Sequence, residues 1–189
     1  MKIYRALLKN LCSQGYDCNP SMVQFYLSCG LAKGIHGGMD WWAETGDPLY
    51  YDCDIDGYIL NTEIDGCGGL GVNIITESEE GIFKHRYWHL KDFFVKAGDK
   101  ISMGECIGWA DNTGNSTGSH LHRDVKEMIR NSNGSLSVKY PTNGAFGAIR
   151  FDKWFENKFV LDMVESGKKQ SYLRKVLEAF LRQLLLKIK

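Results

Sequence analysis

The sequence lacks several things, and each lack excludes a class of protein. There is no C-x-x-C pair among Cys12, Cys18, Cys29, Cys53, Cys67 and Cys106. A Cys-based zinc site and a thioredoxin-type motif are therefore set aside. Free, mostly buried thiols are expected, with a Cys12–Cys18 or Cys18–Cys29 bridge as the alternative. No apolar run reaches the roughly 18 residues of a membrane span. The opening stretch, Met1 to Asn10, interrupts its apolar residues with charge before an export-signal core of about seven residues can form. It reads as a chain without a classical signal peptide. No internal repeat or low-complexity segment is present. Net charge is absent too, with 23 Lys and Arg against 23 Asp and Glu. The balance is uneven along the chain. Residues 31–125 hold 16 acids and 7 bases, whereas residues 167–189 hold 7 bases and one acid. An acidic body with no basic stripe argues against a nucleic acid partner.

What is present changes texture along the 189 residues. Ile3, Leu7 and Leu11 share a helical face, so residues 2–13 are expected to form a short helix. Asn19-Pro20 looks like the start of a second one, running to about Cys29. From Lys33, short apolar runs alternate with Asp-Gly, Glu-Gly and Thr-Gly turns. Strands are expected at Pro48–Tyr51, Tyr58–Ile64, Val72–Thr76, Phe83–Leu90, Glu105–Trp109 and Ser119–Ile129. A hairpin at Asn133-Gly134 should return through Tyr140. That pattern predicts a mainly β protein, an antiparallel β-sandwich or open barrel. Residues 141–160 read as an irregular aromatic wrap. From Tyr172 the apolar residues recur at helical spacing opposite Lys and Arg. This basic amphipathic helix could pack on its own domain, self-associate as a coiled coil, or lie on a membrane surface. The expected units are a helical segment at 1–32, a β-rich domain at 33–160, and a linker with the C-terminal helix at 161–189.

Histidine is scarce, with five in the chain. His120 and His122 sit two apart in an expected strand, so they share a face. That placement suits a metal or acid/base site. His36 and Asp40 lie four apart. In an extended strand that is about 13 Å, so they can share a metal only if the chain curls at Gly37-Gly38. His89 follows Tyr87-Trp88, and His85, four residues earlier, would share its face in a regular strand. Taken singly, each of these is more often a packing or surface residue.

Taken together, His36-x-x-x-Asp40, His89 and His120-Leu121-His122 resemble the lysostaphin/LytM-type zinc metalloendopeptidases. The stretch Val95 to Gly108 and the signature Asn112-Thr113-Gly114-Asn115-Ser116-Thr117-Gly118-Ser119-His120-Leu121-His122 are similar to segments of that family. The resemblance runs from about His36 to Val125. It implies Zn2+ held by His36, Asp40 and His122, with His89 and His120 as the catalytic, non-ligand histidines. Strand geometry alone leaves open which of His120 and His122 binds the metal. The resemblance further implies hydrolysis of peptide cross-links or stem peptides in bacterial peptidoglycan, or else a non-catalytic peptidoglycan-binding module on the same fold. Trp41, followed by Trp42, is a candidate groove wall, with core packing as the alternative. Asn112 is a second candidate substrate contact, and Tyr26 a candidate electrophilic helper. Arg123-Asp124 stands where the family often has Phe-Glu. The resemblance implies action at the bacterial cell wall or periplasm, and the compact organisation without an obvious wall-binding repeat suggests delivery as a phage or prophage lytic or virion protein.

Overall fold

The computed structural model describes residues 1–16, 19–28, 35–143 and 146–165. The Asp, Glu and Gly turns do what their chemistry predicts and separate short strands. These are β1 (Ile3–Arg5), β2 (Cys12–Gln14), β3 (Met39–Trp42), β4 (Pro48–Tyr50), β5 (Gly57–Asp65), β6 (Gly69–Ser78) and β7 (Gly81–Phe93). After them come β8 (Lys100–Ile101), β9 (Cys106–Ala110), β10 (His120–Arg130), β11 (Leu136–Val138), β12 (Ala148–Ile149) and β13 (Phe155–Phe159). A short helix, α1, spans Val23–Ser28, and residues 160–165 are also helical. The main sheet runs β2-β3-β10-β7-β6-β5-β8, with every pair antiparallel.

The long strand β7 makes the sheet turn back on itself. It pairs with β10 from Ile82 to Trp88 and with β9 from Leu90 to Phe93. β9 in turn pairs with β4. The core fills the space enclosed, with Leu49, Ile59, Ile74, Tyr87, Ile107, Leu121 and Val125 fully or almost fully buried. β10 shows the alternation that makes this possible. Leu121, Arg123 and Val125 enter the core, and His120 and His122 point the other way.

Arg123 is a buried cation in that core, and its pairing explains how it is tolerated. Its Nη2 and Nε donate to the Asp52 carboxylate at 2.9 and 3.1 Å. Nη2 also reaches His85 Nδ1 at 2.8 Å. The Tyr87 hydroxyl donates to Asp52 at 2.6 Å, and the guanidinium lies 4.5 Å over the Tyr87 ring. A charge this deep needs such satisfaction on all sides.

Several expectations are corrected. Residues 2–13 do not form a helix; they supply β1 and β2. Ile3 and Leu7 are buried, but Leu11 is 59% exposed, so no helical face is used. The segment is laid along open backbone edges instead. Tyr4 N donates to Asp52 O, Tyr50 N to Ala6 O, and Trp42 N to Leu11 O. Tertiary pairing of this kind overrides a short local pattern. The second expected helix is present as α1, shorter than predicted. Residues 141–160 are more regular than a wrap, since β12 joins β10 and β13 runs parallel to β1. Of the four cysteines described, only Cys53 is buried. Cys18, Cys29 and the helix expected from Tyr172 lie outside the described residues.

Candidate metal centre

The middle of the sheet brings His36, Asp40 and His122 together. β3 pairs with β10 so that Asp40 sits opposite His122. The chain curls between His36 and Asp40, as the Gly37-Gly38 pair permits. Gly38 serves a second purpose. A Cβ there would lie 2.5 Å from Arg123 O and 2.8 Å from the His122 ring, so only glycine lets β10 approach.

The donor atoms form a tight triangle. His36 Nε2 lies 3.0 Å from His122 Nδ1 and 3.1 Å from Asp40 Oδ1. His122 Nδ1 lies 2.8 Å from Asp40 Oδ1. Tetrahedral zinc with bonds near 2.0 Å would set these edges at about 3.3 Å, so small adjustments suffice. Two imidazole nitrogens and a carboxylate are borderline donors that suit zinc. Three protein ligands also leave a fourth position open, as a catalytic site requires.

Hydrogen bonds fix the tautomers. His36 Nδ1 lies 2.8 Å from Gly15 O. A carbonyl only accepts, so Nδ1 carries the proton and Nε2 offers its lone pair to a metal. On the far side of His122, Nε2 faces Asp124 Oδ2 at 3.5 Å, which leaves Nδ1 for the metal. Asp124 is itself held by Arg86 Nε at 2.8 and 3.0 Å. Such outer partners orient a metal-binding imidazole. Burial works against charge on His122, but Asp124 and Asp40 outweigh it and hold the imidazole up at about 9. Burial likewise disfavours the Asp40 carboxylate, yet hydrogen bonds from His122 and His36 keep it well below the usual range. Anions that hold a proton so firmly equally favour a metal cation.

Two more histidines flank the triangle. The ring of His120 is 4.4 Å from that of His89, and His120 Nε2 is 3.8 Å from Asp40 Oδ1. Both are tied through Nδ1 to backbone carbonyls, His120 to Gly118 O at 2.8 Å and His89 to Thr113 O at 2.7 Å. Each Nε2 is therefore an unprotonated acceptor in the neutral ring. Burial, reinforced by His120 and His122, pushes His89 down to about 4. His89 has a positive φ of 64°, unusual outside glycine. This break in alternation lets Trp88 and His89 both line the groove. It also separates His89 from His85, which stays fully buried in the core. Thr113 is anchored by its hydroxyl, which donates to Leu90 O at 2.8 Å and accepts from Leu70 N.

The histidines and the triangle line one groove of about 460 Å³. Trp42, Arg86, Trp88, Tyr26 and Asn115 contribute to it. Tyr26 stacks on His36 at 5.5 Å, and Gln14 donates to its hydroxyl. Two candidate contacts fall elsewhere. Trp41 is 4% exposed and packs in the core against Phe155. Counting two along β3 from Asp40 reaches Trp42, which faces the groove instead. Asn112 is exposed and lies outside the groove lining, whereas Asn115 is part of it. Asp124 and Gly15 were missed. The departure from Phe-Glu after His122 was the available clue to Asp124.

A His-Asp-His donor triangle and a flanking histidine pair in an open groove define a protein built around a catalytic-type zinc centre. The chain belongs to peptidase family M23, whose model matches residues 34–135. It is 37% identical over 93 residues to the glycyl-glycine endopeptidase ALE-1 of Staphylococcus capitis, covering 49% of this chain and 25% of that protein. It is 34% identical over 90 residues to the peptidoglycan DD-endopeptidase ShyA of Vibrio cholerae, covering 48% of this chain and 20% of that protein. The catalytic domain of lysostaphin from Staphylococcus simulans superposes with a TM-score of 0.51 at 27% identity, covering 69% of this chain and 89% of that one. The chain thus spans a quarter or less of the length of these two curated relatives.

Proposed function

We propose that this protein is a zinc-dependent endopeptidase that hydrolyses peptide bonds of bacterial peptidoglycan. The observation that carries this reading is the convergence of three metal donors with two backbone-tethered histidines in one groove. Family membership and relatives named as a glycyl-glycine endopeptidase and a peptidoglycan DD-endopeptidase support it. Bound at His36, Asp40 and His122, zinc would supply Lewis acidity toward the scissile carbonyl and the attacking water. The chain's own groups would do the rest. His89 and His120 each present an Nε2 acceptor that can take the water's proton and then, protonated, steady the developing negative charge. Their Nδ1 tethers prevent ring flips that would turn a donor inward. The groove between Trp42 and Trp88 would hold the peptide extended.

The test is digestion of purified cell walls by the zinc-loaded protein, with mass spectrometry of the released peptides. New peptide termini that vanish on chelation and return with zinc are expected. Binding to walls without release of termini, by zinc-loaded protein, would instead mark a non-catalytic binding module.

A further inference from the structure

The groove extends past the metal along β7 and β10. Stepping from His122 and Trp88, the next cross-strand pair on the same face is Asp124 and Arg86, and the one after is Lys126 and Lys84. Two strand residues advance about 7 Å. Arg86 therefore stands one such step from a metal ligand, linked to it through the shared Asp124 carboxylate.

The state of Arg86 is specific. Its Nε donates to both oxygens of Asp124. Among the described residues, neither terminal nitrogen donates a hydrogen bond to the protein. The guanidinium is fixed over the Trp88 ring at 5.2 Å, and its side chain is 15% exposed where it lines the groove. A locked guanidinium with two unused donor nitrogens is shaped for a planar anion. Lys126, 4% exposed, donates to Phe146 O at 2.5 Å, and with Lys84 adds positive charge behind it. Of the nearby acids, Asp124 is shared with His122, and Asp65 Oδ1 accepts from the Cys67 and Gly68 amides. Glu63 acts on all three cations.

Resting on the endopeptidase reading, we propose that Arg86 anchors a substrate carboxylate lying within about two residues of the scissile bond. The preferred substrate would then be an acidic stem peptide with a free carboxylate near the cleaved bond. An all-glycine bridge has no side carboxylate to offer and would leave the Arg86 donors unpaired. The cost of an unmade contact at a charged donor is what would separate the two.

The test compares two cross-linked stem-peptide fragments, one with its free carboxylates intact and one with them converted to carboxamides. Zinc-loaded protein should cut the first with a kcat/KM about tenfold to a hundredfold higher. In Arg86→Gln, with zinc content measured, that ratio should collapse toward one. In Arg86→Lys, which keeps charge but not the fork, a reduced preference should remain. Equal cutting of both fragments by the unaltered protein overturns the Arg86 role and leaves the endopeptidase reading standing. An equal loss on both fragments in Arg86→Gln also overturns it, because that is what a role confined to positioning Asp124 would give. If zinc-loaded protein cuts neither fragment nor whole walls, the endopeptidase reading itself fails and this inference with it. Should Arg86→Gln not fold, the unaltered protein and Arg86→Lys still decide.

Discussion

Replacing Gly38 by alanine adds a single methyl group at the tightest point of the metal centre. The new Cβ would lie 2.5 Å from Arg123 O, 2.8 Å from His122 Cε1 and 2.8 Å from His122 Nε2. Carbon at such separations is well inside the roughly 3.5–4.0 Å of ordinary contact, so strand or ring must retreat by about an ångström. The carbonyl belongs to β10 and cannot move alone. A metal site tolerates only about 0.2 Å in its bond lengths. Overpacking of this kind typically costs about 1–3 kcal/mol of stability. Loss of ligand geometry should weaken zinc by at least the roughly 10- to 100-fold seen when outer-shell support is removed. The assay is competition for zinc against a chromogenic chelator, alongside thermal unfolding of the metal-free protein. Gly118→Ala is the matched control, because nothing lies within 4 Å of its added Cβ. Wild-type zinc affinity in Gly38→Ala would refute the reasoning. Equal weakening in both variants would do so too.

The two histidines of the His-Leu-His motif should separate by assay. His122→Ala is expected to lose zinc and activity together, whereas His120→Ala keeps zinc by mass spectrometry and loses about 10²- to 10⁴-fold in rate. Arg123→Ala leaves Asp52 as an uncompensated buried charge and should cost about 3–5 kcal/mol in denaturant unfolding. A loss under 1 kcal/mol would mean that the network contributes little. His85, fully buried and pushed well below 6.5 by burial and then by Arg123, should make stability fall in acid. Its folded pKa is depressed, so below about 6.5 the unfolded chain takes a proton that the folded chain refuses. Stability is complete above that pH and declines by up to about 1.4 kcal/mol per unit below it. His85→Gln should flatten that part of the stability profile, and an unchanged slope would assign it to other groups.

Much of the centre was legible because short motifs stand in a family-like order along the chain. His36-x-x-x-Asp40 and His120-Leu121-His122 carry their signal together rather than singly, and glycine marks where the chain must curl or be approached. The Trp41 assignment erred against an available rule, since alternation from Asp40 places Trp42, not Trp41, beside the metal. Other features had no such rule. The separation of His85 from His89 depends on one left-handed residue where β7 changes partners. The Gly15 carbonyl that orients His36 is a backbone group with no side-chain signature. β1 and β2 form because edges elsewhere are open to them, which no window of 12 residues reveals.

The donors come from distant parts of the chain. Asp40 and His122 are separated by 82 residues, and His36 and His122 by 86. A chain emerging from the ribosome therefore cannot assemble all three until β10 has been made and β3 has docked on it. Closing so long a loop is entropically costly, and pairings of this range form slowly. Zinc cannot seed the early steps of folding from its three-donor site. It should act as a late clasp, slowing unfolding while leaving the folding rate nearly unchanged.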